Sequence, residues 1–272
     1  MKIRAGFRLS YECPQDTAML LVLNIHPSRR ADLLGEQTLS FDRPIEARGY
    51  LDGFGNACSR IVAPAGLTTI TTDFEIYDGG LADPVPENAY QHEIKDLPDE
   101  VLVFLLGSRY CDTDRLADFA WKTFSDTPLG WPRVKAILDF THNHIAFDYQ
   151  KADPLRTAFG GFTDRTGVCR DFAHLAITLC RCMNIPARYC TGYLGDIGVP
   201  VDVNPMDFSA WFQVYLGGSW HTVDARHNKP RIGRILMATG RDATDVALTT
   251  AFGPAALKHF EVITDEIPAQ AM

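Results

Sequence analysis

The chain has 272 residues, 46% of them hydrophobic and 22% charged, which is ordinary globular composition with enough apolar material for two cores. A net charge of −8 and a pI near 5.4 argue against nucleic acid or an anionic membrane as main partner, because both select basic surfaces. The first residues lack the apolar run of a signal peptide and no stretch approaches the roughly 20 apolar residues of a membrane span, so a cytoplasmic protein handling peptides or small molecules is expected.

In chain order, residues 7–77 read as short strands separated by turns: Met19–Ile25, Thr38–Phe41, Tyr50, Ile61–Val62 and Leu67–Tyr77. An antiparallel sandwich over residues 1–95 is expected. Asp52-Gly53-Phe54-Gly55-Asn56 is the clearest turn, explained by glycine's tolerance of positive φ. Residues 78–99 are rich in Gly, Pro and acids and read as a linker. A second domain, 96–272, opens with a helix beginning near Asp112-Thr113-Asp114 and another over Pro132–Ile145. His142 and His144 close that helix, a position that suits a dipole partner or cap.

The chain is organised around Thr166-Gly167-Val168-Cys169-Arg170-Asp171-Phe172. After it Phe172, Leu175, Ala176, Leu179, Cys180 and Met183 recur at helical spacing, with Arg170, Asp171, Thr178 and Arg181 mostly opposite. Cys169 stands at the start of that helix, where free N–H groups and the dipole favour a thiolate and can hold an oxyanion. A buried cysteine is more often packing than nucleophile. The seven cysteines form no disulfide framework, and Cys180-x-Cys182 points its two sulfurs to different sides of a helix, so neither bridges nor a metal site are expected. Ala187–Tyr193 reads as a strand, residues 195–205 as a loop, and Phe208–Leu216 with Ser219–Asp224 as a hairpin turning at Gly217-Gly218.

Gly167-Val168-Cys169-Arg170-Asp171-Phe172-Ala173, Asn184-Ile185-Pro186-Ala187-Arg188-Tyr189 and Thr191-Gly192-Tyr193 together resemble the core of the transglutaminase-like cysteine protease superfamily, and the Asp52–Asn56 turn resembles a feature of the domain that precedes many bacterial members. The resemblance implies an α+β fold, an N-terminal antiparallel β-sandwich followed by a papain-like or transglutaminase-like core. It also implies thiol-dependent acyl transfer on a peptide or small amide without cofactor or metal, with Cys169 as nucleophile. The family places a histidine before Ala-Trp on the first hairpin strand and an aspartate on the second. Here Asp224 stands at the aspartate position and Ser209 where the histidine belongs.

With Gly217-Gly218 as the turn, Trp211 faces Asp224 and Ser209 faces Arg226, so Ser209 and Asp224 share a face as diagonal neighbours. A serine hydroxyl is no base at neutral pH. His221 falls on the opposite face and His174, about 140° round the helix from Cys169, points elsewhere. His227 lies just past the strand, where a bulge or turn can redirect it, and stays open as the base. Three readings follow from the missing imidazole: a natural branch with another base or an ionised thiolate, a binding or regulatory protein without catalysis, or a chain inactivated at the histidine. The basic run Ala225–Arg234, with Arg241, either receives an anion or, as exposed clusters more often do, ties a loop to nearby acids and carbonyls. Thr249–Gly253 and His259–Thr264 read as closing strands.

Overall fold

The computed structural model describes residues 1–202 and 205–268; residues 203–204 of the expected loop lie outside them. The fold is α+β. Six strands come first: β1 (Lys2–Cys13), β2 (Thr17–Leu21), β3 (Ser40–Phe41), β4 (Arg48–Leu51), β5 (Ala57–Ala63) and β6 (Gly66–Tyr77). Next are α1 (Asp99–Leu102), α2 (Thr113–Phe124), α3 (Trp131–His144), β7 (Ala146–Phe147), α4 (Ala158–Asp164), β8 (Thr166–Gly167) and α5 (Cys169–Cys182). The chain finishes with β9 (Ala187–Tyr193), β10 (Ser209–Leu216), β11 (Ser219–Val223), β12 (Ile235–Gly240), β13 (Thr249–Ala251) and β14 (Ala256–Ile267).

The first unit is two four-stranded antiparallel sheets, ordered β14-β1-β6-β3 and β13-β2-β5-β4. Strand alternation explains its core, since Ile3, Ala5, Phe7 and Leu9 of β1 meet Ile70, Phe74 and Ile76 of β6 and Met19, Leu21 and Ile61 from the other sheet in one buried cluster. The boundary expected at residue 95 is not where the sheets end. β13 pairs with β2 and β14 runs along the whole of β1, so residues 249–267 return to complete the first unit. Tyr193, Ile235 and Met237 of the second unit also enter this cluster, so the two units share apolar contact rather than only a linker.

The Asp52–Asn56 turn does more than reverse the chain. Asp52 Oδ1 accepts from the N–H groups of Phe54 (2.8 Å) and Asn56 (2.9 Å), and Gly55 takes φ 81°. The buried Asn56 side chain then donates to the Thr239 carbonyl and accepts from the Thr239 N–H, both at 2.8 Å, imitating a strand neighbour for β12. The linker is likewise strapped down: Trp131 N–H donates to Ala89 O, Gly217 N–H to Tyr90 O, Asp83 N–H to Arg231 O, and Arg231 N–H to the Asp83 carboxylate.

In the second unit, the sheet β11-β10-β9-β12 is covered on one face by α5, whose Phe172, Ala176 and Leu179 share a cluster with Ala210, Phe212 and Val214. The polar side of α5 is buried as well. Asp171, Thr178 and Arg181 are all buried, and Arg181 donates to the carbonyls of Ala187, Leu106 and Arg241. Thr178 donates to the His174 carbonyl of its own helix, so protein groups rather than water serve this side of α5. His174 belongs to this packing: it stacks on Tyr110 at 5.0 Å and its Nε2 accepts from the Ala243 N–H at 3.2 Å. Among the described residues no helix is long and apolar enough to cross a membrane.

Two consequences are measurable. A Cβ on Gly192 would lie 2.0 Å from the Ile235 carbonyl oxygen and 2.9 Å from the Trp211 ring, so Gly192→Ala should lower unfolding free energy by about 3 kcal/mol in a urea titration. Burial pushes the His174 imidazole down to about 3, against the opposing pull of Asp242. The unfolded chain then binds this proton near pH 6.5 while the folded one does not, so the contribution is complete above pH 6.5 and declines as pH falls from there toward 3. The loss should be about 1 kcal/mol between pH 6.5 and 5.5 and approach about 1.4 kcal/mol per unit below that, and His174→Phe should remove that slope whatever it does to stability at pH 7.

Candidate active site

Cys169 owes its position to the packing of the residues before it. β8 pairs with β7 in parallel, Val168 is extended, and α5 begins at Cys169, leaving its first N–H groups outside the helical ladder. Asp171 folds back over this start: its Oδ2 accepts the Val168 N–H at 2.8 Å and an Arg156 guanidinium hydrogen at 3.2 Å. A Cβ on Gly167 would stand 2.5 Å from that same oxygen, so the glycine serves close approach and not unusual φ. The sulfur faces a cavity of about 600 Å³ lined also by Tyr110, Arg170, Asp207, Ser209 and Thr244.

The depressed thiol expected for a helix start is not what the surroundings produce. Burial pushes Cys169 up to about 11, with the Arg226 guanidinium and the Ala210 N–H working against it and the Asp207 and Asp224 carboxylates adding to it. Desolvation wins, and the resting sulfur carries its proton. Reaction then needs a base.

The hairpin explains where the His227 imidazole lies. Gly217 and Gly218 take φ 57° and 84°, Leu216 faces Ser219, and the register holds to Phe212 opposite Val223. There the ladder stops, so the extrapolated pairings of Trp211 with Asp224 and Ser209 with Arg226 are not made. The Asp224 carbonyl accepts from the Asn228 N–H at 2.9 Å and its Oδ1 from the His227 N–H at 3.0 Å, closing a turn. That turn brings the His227 ring onto the acid three residues earlier, with Nδ1 donating to Asp224 Oδ2 at 2.8 Å. In this tautomer Nε2 is the ring's acceptor. From α3, His142 Nδ1 donates to the Arg226 carbonyl at 2.9 Å and Asn228 Nδ2 donates to Asp139 at 2.7 Å, which pins the turn.

Asp224 is buried, and burial alone would raise it. Arg234, donating from Nη2 at 2.8 Å, and His227 outweigh that effect and hold the carboxyl well below the usual carboxylate range. Arg234 also donates from Nε to Asp83 at 2.8 Å and lies over the Trp211 ring at 5.0 Å. The linker acid, the arginine, the aspartate and the histidine thus form one continuous polar chain.

Ser209, 8% exposed, opens β10 opposite Gly192, and its carbonyl accepts from Thr191 Oγ1 at 3.2 Å. It lines both the Cys169 cavity and a second one of about 270 Å³ that His227 lines, and Asp207 lines both as well. Cys169 and Ser209 therefore line one cavity, Ser209 and His227 line the other, and Asp224 joins through its contact with His227. His221 is engaged elsewhere, its Nε2 donating to the Leu216 carbonyl at 3.1 Å. His144 likewise holds the Phe162 carbonyl, at 2.7 Å. Of the basic run, Arg231 and Arg234 are internal ties, while Arg226 stacks on Phe147 at 3.8 Å and faces the thiol. Asp83, Asp207 and Arg226 carry no motif that marks them in sequence; His227 is marked only by its three-residue spacing from Asp224.

Residues 120–225 match the family model described as the transglutaminase-like superfamily. The crystal structure of a candidate cysteine protease from Cytophaga hutchinsonii is similar over 100% of this chain and 92% of that one, with TM-score 0.85 and 29% sequence identity. ML0607 of Mycobacterium leprae (strain TN) is 38% identical over 86 residues, 30% of this chain and 30% of that protein, so the chain spans less than a third of the length of that curated relative. The family match contains Cys169, Ser209 and Asp224 and ends two residues before His227. Residues 120–225 of this chain form a transglutaminase-like core.

Proposed function

We propose that the protein catalyses thiol-dependent acyl transfer on a peptide or small amide, with Cys169 as nucleophile and His227, oriented by Asp224, as base. The observation that carries this reading is the 2.8 Å Nδ1–Asp224 contact, which leaves the other imidazole nitrogen as an acceptor on a ring lining a cavity that shares Ser209 with the cavity of the thiol. The similarity to a candidate cysteine protease supports the same reading.

In this reaction His227 Nε2 takes the Cys169 proton as the sulfur attacks the amide carbon. The imidazolium is stabilised by Asp224, which stays ionised because Arg234 holds it so. The oxyanion meets the unpaired N–H groups at the start of α5. Collapse breaks the C–N bond, the imidazolium protonates the departing amine, and a thioester remains on Cys169. Water, deprotonated by the same imidazole, releases the acid and regenerates the thiol. No step calls for a metal or cofactor. Ser209 contributes by being small: a histidine there would fill a position that both cavities share.

A second reading, a cleft that binds peptides without cleaving them, is favoured by one observation, the thiol pushed up to about 11. Alkylation by iodoacetamide against pH separates the two. With His227 as base, His227→Ala should lower thiol reactivity at neutral pH and cut amidase kcat/KM by about 10²–10⁴, and Cys169→Ala should abolish both. Ser209→His should recover part of the activity in the His227→Ala background while adding none to the natural chain. Equal labelling profiles for the natural chain and His227→Ala would sink the assignment.

A further inference from the structure

The acyl group of a thioester is bonded to sulfur, so, resting on the acyl-transfer reading above, it occupies the cavity of about 600 Å³ that Cys169 lines. That volume suits a small-molecule group far larger than acetyl. What the cavity is made of then decides which acyl groups the protein accepts.

One part of its lining comes from the segment between β12 and β13, which brings Ala243, Val246, Ala247 and Leu248 to it. The charged residues of the same segment, Arg241, Asp242 and Asp245, are not among the lining and are engaged elsewhere. Asp242, 1% exposed, accepts the Tyr110 N–H at 2.8 Å and the Thr244 N–H at 2.9 Å. Arg241 donates to both oxygens of Asp245, at 2.9 and 3.0 Å, and the Ala243 N–H donates to the buried His174 ring. Polar contacts behind it thus hold this wall in place before any ligand arrives, and apolar residues are what it gives the cavity. Tyr189 of β9 and Phe208 and Ala210 on either side of Ser209, all buried, extend the apolar lining.

Charge in the cavity is sparse and poorly placed to serve a ligand inside it. Arg170 donates to the Asp153 carbonyl and lies over the Tyr110 ring at 5.8 Å. Asp207 is the one carboxylate of the lining among the described residues, and burial pushes it up, toward its neutral form. Arg109 is exposed, over the same tyrosine ring at 5.3 Å, where water screens it. A charged acyl side chain would lose its hydration here without a dedicated partner, whereas each methylene taken out of water favours binding by about fourfold.

We propose that this cavity selects the acyl half of the substrate for an uncharged aliphatic or aromatic side chain, with Ala243 and Ala247 setting the largest group it accepts.

Acylation of Cys169 by p-nitrophenyl esters reads the selection directly. The thiol proton passes to His227, sulfur bonds to the ester carbon, the C–O bond breaks, and coloured nitrophenolate leaves a thioester that is located by mass. Acetyl, hexanoyl, adipoyl and 6-aminohexanoyl esters are compared, each rate divided by that with N-acetylcysteine to remove intrinsic reactivity, with Cys169→Ala as blank. Hexanoyl should exceed acetyl by about tenfold and exceed the two charged esters by at least as much. Ala247→Phe should lower the hexanoyl-to-acetyl ratio about tenfold, with Ala243→Phe as a second variant if the first does not fold. Equal normalised rates, a preference for the adipoyl ester, or an unchanged ratio in a folded variant overturns the proposal and leaves acyl transfer standing. Titration of Cys169→Ala with hexanamide and with adipic acid monoamide separates the two claims: tighter hexanamide binding in a protein whose thiol none of the esters acylates supports the apolar subsite and overturns the acyl-transfer reading instead.

Discussion

An ionised carboxylate in a protein interior persists only where its neighbours replace water, and the site rests on how Asp224 meets that condition. Arg234 supplies one partner and His227 the other, and Arg234 is itself held by Asp83 from the linker and by the Trp211 ring. Arg234 is the foremost of the neighbours that hold Asp224 ionised against its burial, and His227 adds to it. The linker between the two units is thus part of the site's support: the Asp83 N–H donates to the Arg231 carbonyl and the Asp83 carboxylate accepts from the Arg231 N–H.

The thiol illustrates the opposite balance. A helix start favours a thiolate, yet the Cys169 sulfur is desolvated on most sides and pushed up to about 11. The two effects are both local, and the larger one decides. A cysteine that stays protonated is also protected from the oxidation that a standing thiolate invites.

Much of this architecture is legible in the sequence. The strand pattern marks β6, the two glycines mark the β10–β11 hairpin and its register, and the run from Gly167 marks the start of α5, whereas β1 is not among the strands read from the sequence. What the sequence hides is mostly long-range. Nothing local to α5 says that Arg181 will find the carbonyls of Leu106, Ala187 and Arg241. The extrapolated register failed beyond Val223 because Asp224 is a better turn-former than strand residue once its carboxylate can accept the His227 N–H, and that turn is what relocates the imidazole from the strand to the loop. Glycine 167 was legible as a turn, but its reason, the Asp171 carboxyl folded against it, depends on a residue four positions on.

The return of β14 to β1 has a consequence for the order in which the molecule can be made. β1 sits between β6 and β14, so a strand finished at residue 13 acquires its second neighbour only after residues 256–267 have been synthesised. During nearly the whole of translation the first sheet presents β1 as an open edge, and Asn56 has no Thr239 to pair with until β12 emerges. Vectorial assembly, with the N-terminal unit finished before the rest, is closed to this topology. The transglutaminase-like core must be released from the ribosome before the unit that precedes it is complete, which makes a nascent chain of this protein dependent on protection of that edge.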